Sequence, residues 1–497
     1  MTPAESLQRR WGEPWLVGMG AATFWDQLEQ FQTQLQAEAP RNVLLAEPDP
    51  VRFLAAFFAA LQSPCRLWLA NPQWGTQEWS QVMAQCPADM VLGTASIAEK
   101  LQTPNGISPT SPTSPTSLTS STSPTPPPCH PIPLPPHHSS PAILIPTGGS
   151  SGNIQFATHT WDTLTASVQG FCQHFDCATV NAYCVLPLYH VSGLMQALRC
   201  WVSGGRLTLQ PFRELLQAGA IAPTAAPSFL SLVPTQLQRL LSSDLDFLPW
   251  LRSCSAILLG GAPPWPALLQ TARDLRLPLA PTYGMTETAS QVATLLPQEF
   301  LAGQTGSGRA LPHARLTIHD EAGNALPPNQ PGHIMIAAKS LALARGLDAI
   351  APPWRTGDLG YLDAAGYLHV VGRQQTLIMT GGEKVLPEEV EAAILATGWV
   401  RDVAILGVPD ADWGEAVVAI IAHPETESNV SDRLGHILRG QLSPYKIPKH
   451  WLYCPSLPRH AQGKLNRAAL RQWVLAQLSP TAATSESTPA LGDDADG

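Results

Sequence analysis

The sequence predicts an α/β fold in two unequal parts. Residues 1–373 make a large N-terminal part of several subdomains, and residues 374–478 a small, mobile α+β part. Three observations carry this. Short apolar runs alternate with longer runs whose apolar residues recur at helical spacing. Several of the short runs empty into glycine-rich loops at their C-terminal ends, where open α/β sheets collect ligands. Past Gly372 the chain turns more polar, and a Glu-rich helical stretch precedes two apolar runs.

In chain order, residues 24–36 and 50–61 read as helices around the strands 43–46 and 66–70. Residues 103–140 change character, with Ser-Pro-Thr repeated and prolines in clusters. Pro, Ser and Thr at this density bury too little apolar surface to fold, so the segment reads as a disordered insertion. Its Cys129, His130, His137 and His138 match no standard metal spacing and lack a rigid frame, so no metal site is expected there. Residues 142–145 form the next strand. Thr160 then caps a helix with Leu164, Val168, Phe171 and Phe175 on one face. Strands follow at 183–187, 256–259 and 279–283. The C-terminal part holds a helix over 387–397, strands over 403–408 and 416–422, and a helix over 467–478. Residues 479–497 read as a disordered acidic tail.

Composition excludes some functions. Of 497 residues, 44% are hydrophobic and 13% charged, which suits large buried cores. A formal net charge of −9 without a Lys/Arg cluster argues against nucleic acid as a partner. The N-terminus lacks the apolar core of a signal peptide, and no apolar run approaches the roughly 20 residues that span a bilayer, so no stable membrane insertion is expected. Nine scattered cysteines without CxxC spacing fit free thiols in a reducing cytoplasm.

Five clusters carry candidate chemistry. The strand at 142–145 opens into Thr147-Gly148-Gly149-Ser150-Ser151-Gly152. Glycines let backbone approach a ligand, and successive N–H groups with three hydroxyls make an anion nest. A Gly/Ser surface loop is the plain alternative, and Asn153 rules out the Walker loop, which needs Lys at that place. His190, Ser192 and Gly193 follow a second strand, and Gly260-Gly261-Ala262 a third. Tyr283-Gly284-Met285-Thr286-Glu287, with Ser290 close behind, offers a ring to stack on a base and a carboxylate for Mg²⁺. Asp358, with Arg373 downstream, could chelate two ribose hydroxyls. Singly, each has a plain reading as a turn or a core residue. Arg199 stands apart as a lone charge in the apolar run 194–202. A buried guanidinium is almost never left unpaired, so its partner is either a protein carboxylate or a carboxylate of a ligand.

Together and in this order, with Gly381-Gly382-Glu383 and Gln462-Gly463-Lys464-Leu465-Asn466-Arg467, the clusters resemble the adenylate-forming superfamily of acyl-CoA ligases, luciferases and peptide-synthetase adenylation domains. The resemblance runs from the cradle to Lys464. It implies a large adenylation domain, a small domain that swings about Gln375, and a reaction in two halves. A small-molecule carboxylic acid attacks Mg-ATP to give an acyl-adenylate, and coenzyme A then displaces AMP. By this match Thr147, Gly148, Gly149, Ser150, Ser151 and Gly152 hold phosphates. Gly260, Gly261, Ala262, Tyr283 and Gly284 hold the adenine, and Asp358 and Arg373 the ribose. Lys464, Glu287, Thr286 and His190 are catalytic, with Glu287 the Mg²⁺ ligand. His190, Ser192, Arg199, Gly261 and Ser290 line the acid subsite, and Gly381, Gly382 and Glu383 serve CoA.

Within the family, residues 187–193 and 380–383 are most similar to the o-succinylbenzoate–CoA ligases of menaquinone and phylloquinone synthesis. Another aryl- or fatty-acyl-CoA ligase and a catalytically silent nucleotide-binding relative are the alternatives, and a homodimer is left open. Three positions depart from the family pattern. Gln155 stands where the loop lysine is usual, a charge worth up to about 4 kcal/mol at contact in an effective dielectric near 20. Gln375 and Thr376 stand in the hinge stretch, where charged residues are common. The composition of 103–140 yields a first prediction. Replacing that segment by a short Gly/Ser bridge should leave the melting temperature and turnover nearly unchanged, as read by thermal unfolding and CoA-ester formation. A large loss of either would mean that it docks on the domain.

Overall fold

A computed structural model describes residues 1–18, 21–94, 141–148, 154–220, 228–381, 383–410, 412–422, 430–459 and 465–478. The expectations placed on 103–140, 149–152, Gly382, Lys464 and 479–497 lie outside these residues, as does the side chain of Gln375.

Two sheets and the helices between them build the first large core. One sheet runs Met90–Gly93, Asn42–Ala46, Arg66–Leu69 and Ala142–Gly148 in parallel. It continues antiparallel through Ile154–His159, Ala344–Arg345 and Asp348–Ala349. The other orders Leu16–Val17, Leu207–Leu209, Ala182–Cys184, Phe229–Leu232, Ala256–Leu259 and Leu279–Met285 in parallel, then Ser290–Thr294 and Arg309–Ala310 antiparallel. Parallel strands are covered on both faces, which is why these runs are apolar throughout rather than alternating.

The helix Pro50–Ala60 shows how the sheets join. Asp49 accepts the Arg52 N–H and Pro50 opens the first turn, so the start is fixed locally. Apolar nearly all round, the helix is buried in one core with Val43 and Ile143 of the first sheet and Ala182 and Leu207 of the second. The helices Trp161–His174 and Val191–Ser203 lie in the same core. Thr160 caps the former, its hydroxyl accepting the Thr163 N–H.

A four-stranded antiparallel sheet, Ala314–His319, Gly332–Ala338, Trp354–Leu362 and Leu368–Arg373, completes the large part. After the short turn Gln374–Thr376, the small part opens at Ile378. Its sheet orders Glu383–Val385, Ile378–Thr380, Gly414–Ala422 and Val403–Asp410, with His450–Cys454 beside Gly414–Ala422. Helices Pro387–Ala396 and Val430–Arg439 pack on one core, and Arg467–Leu478 on another. The helix Pro387–Ala396 also touches the strand Leu368–Arg373, joining the two parts.

Two element boundaries differ from the sequence reading by three residues, and the others agree within two. The strand begun at Ala142 runs on to Gly148, because it pairs as a hairpin with Ile154–His159, setting Thr147 opposite Gln155. The strand expected over 183–187 stops at Cys184, and at Pro187 the chain turns so that its carbonyl accepts the His190 N–H. The helix Val191–Ser203 starts at that turn, with His190 as its N-cap.

The hairpin Leu279–Met285/Ser290–Thr294 is irregular, its register shifting between Tyr283 and Gly284. A side chain at Gly284 would lie 2.1 Å from the Ser290 carbonyl oxygen. Gly284→Ala should therefore open this bulge, at a cost of about 1–3 kcal/mol by analogy with overpacking. The expected result is a lowered melting temperature and a larger loss of adenylation than of stability. Wild-type values for both would show that the backbone relaxes freely here.

Candidate active site

The site forms where the hairpin turn meets the ends of neighbouring strands. In the four-stranded sheet, antiparallel register sets Asp358 directly opposite Arg373. The Arg373 Nε lies 2.9 Å from one Asp358 carboxylate oxygen, and the Tyr283 hydroxyl donates to the other at 2.8 Å. Asp358 is buried while Arg373 is half exposed. The Thr356 hydroxyl accepts the Asp358 N–H and donates to the Ile334 carbonyl, fixing the turn. Burial, and then the Asp358 charge, push the Tyr283 phenol well above its ordinary range, so it stays protonated and acts as a donor. Gly260, Gly261 and Ala262 follow the neighbouring strand Ala256–Leu259. A side chain at Gly260 would meet the Thr282 hydroxyl at 2.6 Å, and Gly261 has φ +81°. Both positions need glycine.

Glu287 lies in the turn Thr286–Thr288, which touches the strands Ala142–Gly148 and Ile154–His159. The start of the cradle, Thr147 and Gly148, therefore lies in the strand that meets the turn carrying the carboxylate. His159 holds this turn. Its Nε2–H donates to the Thr286 carbonyl at 2.8 Å, and burial pushes it down to about 4, so it is neutral near pH 7. The Ala342 N–H donates to the Glu287 carbonyl, and the Arg345 guanidinium lies 3.7 Å from the Glu287 carboxylate. A single buried carboxylate fits Mg²⁺, which takes one or two carboxylates and completes its shell with substrate phosphates and water.

Beyond the turn, Ala289 and Ser290 both take left-handed backbone, at φ +50° and +88°. Neither is glycine, and such residues cluster at functional sites because the surrounding structure must hold them there. The Thr288 hydroxyl donates to the Ser290 carbonyl at 2.6 Å, and the Ser167 hydroxyl to the Ala289 carbonyl at 2.7 Å. The twist delivers Ser290 to Arg199. The Arg199 Nη2 donates to the Ser290 hydroxyl at 3.0 Å and to the Gln291 amide oxygen at 2.6 Å, and its guanidinium covers the Phe171 ring at 4.3 Å. Only 2% of Arg199 is exposed. Burial pulls it down to about 10, so it remains charged near neutrality. Among the described residues no carboxylate lies within ion-pair distance of it. The two neutral acceptors answer the sequence-level question without supplying a counter-charge.

His190 and Ser192 head the helix that carries Arg199, with the His190 ring tilted against Tyr189 at 4.5 Å. Gly381, in the small part, has φ +57°, and a side chain there would lie 3.0 Å from the Trp413 ring. Glu383, itself exposed, follows at the start of the strand Glu383–Val385. Phe171, Gln291, Thr356, His159 and Arg345 complete the site, and sequence reasoning did not find them.

Tyr283→Phe should leave one oxygen of the buried Asp358 carboxylate without its donor, costing about 1–3 kcal/mol. The change should raise the KM for ATP by roughly tenfold in pyrophosphate exchange, with little effect on the KM for the acid. Equal effects on both would place Tyr283 away from the nucleotide.

The chain matches the family of AMP-binding enzymes over residues 22–346 and the AMP-binding enzyme C-terminal domain over residues 389–464. A 2-succinylbenzoate–CoA ligase from a Geobacillus species is 30% identical over 352 residues, covering 68% of this chain and 70% of that protein. The enzyme of that name from Listeria monocytogenes is 34% identical over 331 residues, covering 66% and 68%. Among solved structures, the o-succinylbenzoate CoA synthetase of Bacillus subtilis in complex with its acyl-adenylate intermediate superposes with a TM-score of 0.73 at 22% identity, covering 94% of this chain and 97% of that one. In its large part and its C-terminal domain alike, the chain belongs to the family of AMP-binding enzymes.

Proposed function

We propose that the protein is an ATP-dependent acid–CoA ligase whose acid is o-succinylbenzoate or a close aromatic dicarboxylate. The observation that carries the choice of acid is Arg199, a buried cation whose side-chain bonds among the described residues go to neutral oxygens beside the phosphate-side turn. A second carboxylate on the acid would supply the missing charge, while its first is activated. A fatty acid or simple benzoate would leave the guanidinium without a carboxylate partner, which is costly in a buried setting.

In the first half-reaction an acid carboxylate oxygen attacks the α-phosphorus and pyrophosphate leaves. In the second, the CoA thiol attacks the acyl carbon and AMP leaves. Tyr283 and Gly260–Ala262 border the adenine, and Asp358, held between Tyr283 and Arg373, binds the ribose hydroxyls. Thr147–Gly152, Thr286 and Glu287 serve the phosphates, Glu287 as the ligand of Mg²⁺. Bound there, Mg²⁺ would supply neutralising charge to the phosphates. Lys464 offsets the repulsion of an anion approaching an anion. His190, Ser192, Gly261 and Ser290 line the acid. The small domain turns near Gln375 to exchange Lys464 for the Gly381–Glu383 turn, where glycine lets the CoA arm pass close to backbone. The similarity to 2-succinylbenzoate–CoA ligases supports this reading of the acid.

ATP–pyrophosphate exchange with a panel of acids is the test. The wild type should prefer o-succinylbenzoate over benzoate and over a medium-chain fatty acid. Arg199→Gln should lose on the order of 10² in kcat/KM with o-succinylbenzoate, as expected when one partner of a buried charge pair is removed. Monocarboxylates should change less than about threefold. Wild-type preference for monocarboxylates would reject the dicarboxylate, and equal losses for all acids would reject Arg199 as its anchor.

A further inference from the structure

The helix Trp161–His174 ends in a turn whose hydrogen bonds decide where two cysteines lie. The Cys177 N–H bonds the Cys172 carbonyl at 3.0 Å, and the Asp176 N–H bonds the Gln173 carbonyl at 3.4 Å. Asp176 has φ +48°. These are the paired bonds of a Schellman motif, with Asp176 in the left-handed place usually given to glycine. The motif brings the side chains of its first and sixth residues together, ordinarily as a hydrophobic contact. Here those residues are Cys172 and Cys177. Both thiols are free and part-buried, and both pack on the apolar cluster of Phe171, Val180 and Phe229.

The Cys177 neighbour holds the Cys172 thiol down to about 7, and Cys177 itself is pushed up. Burial pushes the remaining described thiols up, Cys65 and Cys454 to about 11 and Cys86, Cys184 and Cys254 to about 12, and Cys200 also rises. The thiolate is the nucleophile toward peroxides, so Cys172 is set apart. Among the described residues no third His, Cys, Asp or Glu joins the pair in a metal-binding group. Arg199 lies against the same end of the helix, over Phe171. Burial lowers its pKa, and the Cys172 sulfur is the foremost group opposing that pull.

We propose that Cys172 and Cys177 are a reversible oxidation site, and that closing their disulfide takes the anionic neighbour away from Arg199. The Cys172 thiolate attacks one oxygen of hydrogen peroxide and the O–O bond breaks. This gives a sulfenic acid and, with one proton, water. The Cys177 sulfur then displaces hydroxide from the sulfenic sulfur, and the thiol proton leaves with it as a second water. Two thiols lose two electrons, and one peroxide gains them. The disulfide is neutral, so the guanidinium faces the acid's free carboxylate with its full charge. This second part rests on Arg199 being the acid's anchor. The other titratable groups facing the pair and Arg199 are His174 and His313, both lowered by burial, Cys200, and Asp176 on the turn.

The test uses the full-length enzyme treated with hydrogen peroxide, freed of excess, alkylated without reduction and digested with chymotrypsin. Cleavage after Phe175 separates the two cysteines, so only a disulfide holds their peptides together. The expected result is that linked pair, reversed by dithiothreitol and formed well before Cys254 reacts. Cys177→Ser should stop at a sulfenic acid on Cys172, captured by dimedone, and Cys172→Ser should give neither product. Absence of the linked peptides, or a Cys172 oxidised past sulfenic acid in the wild type, would overturn the site. Pyrophosphate exchange, which needs no CoA thiol, reads the coupling. At pH 8 the oxidised enzyme should show a KM for o-succinylbenzoate lower by about two- to threefold, with the KM for ATP unchanged. At pH 6 the reduced thiol is itself neutral, so the difference should close. A mapped disulfide with no shift at pH 8 would overturn the coupling alone. The acid panel on Arg199→Gln reads the anchor separately.

Discussion

The missing Cβ of Gly284 sets the geometry on which the site depends. Without a side chain there, the strand can reverse so tightly that the Ser290 carbonyl occupies the vacated space. Everything nearby follows from that reversal. Tyr283 on one side of it reaches Asp358, Glu287 at its tip meets the cradle strands, and Ser290 on its far side meets Arg199. One local constraint thus brings three separate loops into one crevice. The left-handed Ala289 and Ser290 are the cost of that compression, held in place by bonds from Thr288 and Ser167.

The strands of the two large sheets were legible in the sequence because parallel, doubly covered strands are continuous apolar runs. Ala256–Leu259 and Asn42–Ala46 have no other plausible role. Helix ends were legible where a cap states them, as at Thr160. The strand at Ala142 was misjudged in length because its hairpin partner, not its own residues, carries it through Gly148. The antiparallel strands between residues 309 and 373 left no reading, since strands covered on one face only are mixed in composition.

The site divides in the same way. Tyr283, Asp358, Arg373 and Glu287 were found because the chemistry of each shows in its residue type and its place after a strand. Arg199 was found because a lone charge in an apolar run demands an account. Ser290 was placed with it in the acid subsite, but Phe171 and Gln291 were not, because they converge from a helix and a strand more than a hundred residues apart. Nor could the sequence show that Asp358 and Arg373 pair with each other. That follows from the antiparallel register of their strands.

Arg199 has a consequence for selectivity that lies in the order of events. Its guanidinium is stripped of water when the chain folds, and the ring of Phe171 and two neutral oxygens hold it still. The penalty of dehydrating that cation is therefore incurred before any acid arrives. On the proposed role of Arg199, a dianionic acid would meet a donor already dry and oriented, so its own binding would bear less of the cost. The same readiness would set discrimination among acids against the stability of the fold.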